Sequence, residues 1–152
     1  MGLFSLLLST ALATGGWAWP ADLQPLLAAL RRHRFSVQLA SPPRRGVYGM
    51  FDPASRTLWV APLTAELGIA RQTLLHEAAH AAQSCPDGVL RPIGWRLPLS
   101  PLIEREIAAI TLNHYGSNTR LLEREAFAVQ GQANAVALII RALEQRCRPG
   151  SR

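Results

Sequence analysis

His76 and His80 stand four residues apart with a glutamate between them, in the string His76-Glu77-Ala78-Ala79-His80. This is the pattern H-E-x-x-H. On a helix, positions i and i+4 share one face about 6 Å apart along the axis. Two imidazoles so placed can reach one zinc ion. The glutamate falls near the open coordination position, where it can take a proton from water. The chemistry expected is zinc-assisted hydrolysis. The apolar flanks Leu74, Leu75, Ala78, Ala79, Ala81 and Ala82 bury the helix. Buried imidazoles and carboxylates need partners, and a metal supplies one.

Catalytic zinc usually takes three protein ligands plus water. The segment Leu121-Leu122-Glu123-Arg124-Glu125-Ala126-Phe127-Ala128-Val129 offers the third. At helical spacing Glu125 is surrounded by Leu121, Leu122, Ala128 and Val129, all apolar. Glu123 has the mixed set Thr119, Arg120, Ala126, Phe127 and Gln130. Glu125 is therefore expected on the buried face and is the candidate ligand. The alternatives are a buried ion pair from Glu125 to an arginine, and His114 as the ligand in its place.

H-E-x-x-H followed by the helical run Glu123-Arg124-Glu125-Ala126-Phe127-Ala128 resembles the gluzincin clan of zinc metallopeptidases, the thermolysin-like group. The likeness spans roughly residues 58–132. It implies Zn2+ held by His76, His80 and Glu125, with Glu77 as general base. It also implies that the strand before the metal helix, Thr57 to Ala61, borders the cleft, where a free edge would take an extended peptide; the alternative is an internal strand of an ordinary hairpin. His114 or Tyr115 could stabilise an oxyanion.

These residues must be positioned by a single domain. The chain has 152 residues, 49% of them hydrophobic, which suffices for one core and excludes a disordered chain. All 16 basic residues are arginine, and the net charge is +6. The arginines are scattered, apart from Arg31-Arg32-His33-Arg34 and Arg44-Arg45, without aromatic interleaving. Nucleic acid is thus a poor expectation as partner. A helix is expected over Pro20–Arg32 and strands over Phe35–Leu39, Val47–Phe51 and Thr57–Ala61. The metal helix should follow over Glu66–Ser84, then a Pro/Gly-rich loop from Cys85 to Pro98. Its residues Val89, Leu90, Ile93, Trp95 and Leu97 could form a lid or cap the core. Helices over Ser100–Tyr115 and Thr119–Arg146 complete the chain. The fold class is α+β and zincin-like: a small antiparallel sheet, then a metal-binding helix and two further helices.

Residues 1–19 read as a signal peptide or membrane anchor, and 20–152 as the zincin-like domain. No charged side chain precedes Asp22, and Leu3-Phe4-Ser5-Leu6-Leu7-Leu8 leads to an Ala11-x-Ala13 cleavage pattern with mature start near Thr14. The expected location is exported, periplasmic or secreted, with membrane contact only through an uncleaved N-terminal segment. Cys85 and Cys147 close the ends of two helices, and an even count with export favours a disulfide between them. The expected partner is a peptide or protein substrate. Two other outcomes stay open: a non-catalytic zinc-stabilised peptide-binding module, and an amide or ester hydrolase using the same site.

Overall fold

The computed structural model describes residues 17–111 and 117–148. A 3-10 turn, Ala21–Leu23, leads into α1, Gln24–Arg32, whose Pro25 sits in the first turn where its missing N–H is harmless. Leu23, Leu26, Leu27 and Leu30 form its buried stripe. Three strands follow: β1, Ser36–Leu39; β2, Gly49–Asp52; and β3, Thr57–Val60. The Asp52 carboxylate accepts from the Ala54 and Ser55 N–H groups, which closes the turn between β2 and β3.

The sheet order is β1-β3-β2. β2 is antiparallel to β3, but β1 runs parallel to it, so the sheet is mixed rather than antiparallel. β3 carries the fully buried Leu58 and Val60 and takes the centre. β1 alternates exposed and half-buried residues, which suits an edge. The loop over residues 40–48 carries the chain across to the other edge. Of the two readings open for Thr57–Ala61, free edge or internal strand, the internal strand is the one found. β2 takes the free edge, and it pairs with no other described strand.

A short helix α2, Leu63–Glu66, precedes the metal helix α3, Ala70–Gln83. The expected start at Glu66 moves to Ala70 because Gly68 turns the chain with φ of 71°. α3 is sheathed on nearly all sides. Its alanines 78, 79, 81 and 82 are solvent-free and let it pack against β2, β3 and two later helices. The loop over residues 85–98 has no regular structure beyond its first turn. Then come α4, Pro101–Thr111; α5, Ser117–Gln130; and α6, Ala135–Arg146. The single last helix expected from Thr119 to Arg146 is two helices, separated by Gly131-Gln132-Ala133-Asn134. Among the described residues three helices thus follow α3, not two. The break folds α6 back so that it packs on both α3 and α1.

Cys85 and Cys147 are disulfide-bonded, joining the ends of α3 and α6 across 62 residues. No helix among the described residues is long and apolar enough to cross a membrane. The Ala11-x-Ala13 pattern, Thr14, His114 and Tyr115 lie outside the described residues.

Candidate metal centre

The helical spacing of α3 does what the sequence requires of it. His76 Nε2 and His80 Nε2 lie 3.1 Å apart and point to one spot. The carboxylate that meets them is Glu123, on α5: Oε2 is 3.2 Å from His76 Nε2, and Oε1 is 3.3 Å from His80 Nε2. One donor atom from each of the three residues lies within 4.8 Å of the others. Two imidazole nitrogens and one carboxylate oxygen form the donor set that suits zinc. The residues fit the ion.

Glu125, the ligand expected from the sequence, is not brought to the imidazoles. Two residues along a helix amount to about 200° of rotation, so Glu123 and Glu125 face opposite ways. Glu125 is buried as expected, at 6% exposure. Its carboxylate accepts three consecutive backbone N–H groups of the loop, from Ile93 at 2.8 Å, Gly94 at 2.6 Å and Trp95 at 3.0 Å. It also accepts from Gln83 Nε2 at 3.0 Å. The expected alternative, an ion pair to an arginine, is not what satisfies it. Glu123 is the wetter of the two, with its side chain 27% exposed. A ligand at an open site borders a water-filled cleft and so belongs on a mixed helical face. The mixed neighbours of Glu123 were that signal: Thr119 lines the cleft, Phe127 packs edge-on against the His76 ring, and Gln130 Oε1 lies 3.0 Å from His76 Nδ1.

Gln83 and Gln130 went unnoticed in the sequence. Each lies against the Nδ1 atom of one imidazole, so that the Nε2 atoms face inward. Such outer partners set ring orientation at metal sites. Gln83 is fully buried; Oε1 is 2.7 Å from His80 Nδ1, and Nε2 also donates to Leu122 O at 3.0 Å.

The cleft over this cluster has a volume of about 410 Å³. One wall is β2, through Gly49, Met50 and Phe51; the floor is His76, Glu77, His80 and Glu123. From the loop Leu90 reaches it. Ile93, Trp95 and Leu97 pack on the core instead. The loop therefore caps the core and is pinned, both by Glu125 and by Arg146, which donates to Ala82 O, Pro92 O and Arg91 O. That is core capping rather than a lid.

β2 approaches Glu77 closely enough to require glycine. A Cβ at Gly49 would lie 2.6 Å from Glu77 Oε1 and 2.6 Å from Thr73 Cγ2. Glu77 is buried, and loss of hydration raises its pKa above the ordinary carboxylate value, with both imidazoles partly opposing the rise. Burial also acts against charge on Glu123, but hydrogen bonds from His76 and His80 outweigh it and hold the carboxyl far below its usual range. For His80, burial disfavours the imidazolium; the Glu123 hydrogen bond and the charges of Glu123 and Glu77 overcome this and raise the pKa.

No known protein family, curated protein or solved structure matches this chain.

Proposed function

We propose that the protein is a gluzincin-like zinc peptidase whose metal is held by His76, His80 and Glu123. The observation that carries this is the convergence of three ligand atoms at the base of a cleft, with Glu77 beside them. A zinc ion bound there supplies Lewis acidity to the scissile carbonyl and lowers the pKa of water.

Glu77 acts as general base. It takes the proton from water as the water oxygen adds to the peptide carbonyl carbon. It then gives that proton to the amide nitrogen as the C–N bond breaks, releasing amine and carboxylate. Its burial raises the pKa, which makes it a stronger base toward the water proton. The edge of β2 holds the substrate. Met50 faces Trp59 on β3, and Gly49 and Phe51 alternate with it, so their N–H and C=O groups turn to the open side. An extended peptide adds there through main-chain bonds, regardless of its sequence. The disulfide supports a setting in an oxidising, exported compartment.

The test is metal analysis of the purified protein followed by cleavage of a mixed peptide library, with and without chelator. One zinc per chain and chelator-sensitive cleavage are expected. Zinc without cleavage of any peptide would replace the peptidase with a zinc-stabilised binding module. Cleavage of small amides or esters alone would place the activity on another substrate class.

A further inference from the structure

The buried polar group that peptide hydrolysis does not use is Glu125. Its four donors are all N–H groups: three from the loop backbone and one from Gln83. A carboxylate accepts from all four, whereas a neutral amide in its place would turn two hydrogens toward donors. The consequence passes through Gln83. Its nitrogen lies 3.0 Å from Glu125 Oε2 and 3.0 Å from Leu122 O, both acceptors. The amide can therefore stand only one way round, with Oε1 toward His80. An amide oxygen accepts and cannot donate, so at 2.7 Å it requires the hydrogen on His80 Nδ1. In the neutral ring that leaves the lone pair on Nε2; the hydrogen bond to Glu123 belongs to the imidazolium, which carries hydrogen on both nitrogens.

We infer that Glu125 and Gln83 are positioning residues, which fix His80 in its Nδ1–H tautomer and tie that choice to the loop at Ile93, Gly94 and Trp95. Neither touches a reacting atom. The role rests on the metal-centre reading only for its use; the tautomer itself is a property of the metal-free protein. Glu125 thus serves the ligand His80 at one remove, through an amide whose orientation it dictates.

Long-range 1H–15N correlation of histidine-labelled, metal-free protein tests this, at a pH well above the imidazole range. Wild type should show His80 protonated at Nδ1. Gln83→Leu removes the acceptor and leaves the three backbone bonds of Glu125 intact. It should shift the ring toward a mixture of tautomers and weaken zinc about 10- to 100-fold, the range for outer partners of metal ligands. Glu125→Gln should give the same change at His80 and also speed amide exchange at Ile93, Gly94 and Trp95. If Glu125→Gln does not fold, Gln83→Leu decides alone. A His80 that keeps Nδ1–H in the folded variants, with zinc affinity within about twofold of wild type, would overturn the inference and leave both residues structural. Failure of wild type to bind zinc at all would sink the metal centre and leave the tautomer result standing.

Discussion

At the scale of single residues, the roles proposed for Glu77 and Glu123 are separable. Glu77→Gln keeps shape and leaves the ligand set whole, so the variant should retain zinc. Loss of a positioned base should lower peptide cleavage by about 10² to 10⁴, read as kcat/KM beside metal content. Glu123→Ala should instead lose zinc, by more than the ~10- to 100-fold that an outer partner costs. Metal titration of Glu123→Ala and Glu125→Ala side by side checks which carboxylate is the ligand. Acidity enters through His80. Its raised pKa means that the folded, metal-free protein holds a proton there more tightly than the unfolded chain. That stabilisation is full below the unfolded value near 6.5 and fades as pH rises through the folded pKa. Zinc must displace the same proton, so affinity should fall as pH drops through this window. Calorimetric titration in buffers of different ionisation enthalpy should show proton release on binding. The meeting of His76 and His80 was legible in the sequence because their i,i+4 spacing alone puts them on one helical face. The carboxylate that meets the imidazoles was not, since burial was read as the mark of a ligand. The more buried carboxylate of α5 serves the loop, and the half-wet one faces the cleft.

At the scale of elements, the spacing between β2 and α3 leaves room for Glu77 only beside a glycine. Gly49→Ala puts a methyl group where Glu77 Oε1 and Thr73 Cγ2 stand. Either the strand retreats or the glutamate turns. Overpacking of this kind costs about 1–3 kcal/mol. Denaturant unfolding should show that loss, and peptide cleavage should fall further than the stability change explains. The three strands were readable within one or two residues from their alternation and from the Asp52-Pro53 turn. Their order was not. Alternation tells which face of a strand is buried, but not which neighbour it takes. Here the apolar weight of Leu58 and Val60 draws β3 to the centre and leaves β2 on the edge. The division of the last helix had a signal in Gly131, but a lone glycine inside an otherwise helical pattern does not separate a tolerated helical residue from a break.

At the scale of the whole molecule, two clasps from the end of α6 hold the loop beside the site: Arg146 and the Cys85–Cys147 bond. Closing 62 residues stabilises the fold by about 4 kcal/mol in the chain-entropy picture. Cys147→Ser should therefore lower the melting temperature by on the order of 10 °C. Calorimetry of the variant beside reduced wild type checks it, and the two should agree. The pairing of the cysteines was legible from their even count and their places at helix ends. The role of Arg146 was not, because a helix-end arginine reads as solvated until the carbonyls it meets are known.

The same wiring sets an order of events during synthesis. The imidazoles of α3 leave the ribosome well before Glu123, and at about 5–20 residues per second the interval lasts seconds. α1 comes out earlier still and waits for α6, its packing partner. Cys147 follows last, and its bond to Cys85 needs an oxidant. A nascent chain thus carries His76 and His80 before the carboxylate that meets them, and α3 before the helices that sheathe it. The cluster of His76, His80 and Glu123 is therefore assembled only once α5 has emerged and docked on α3.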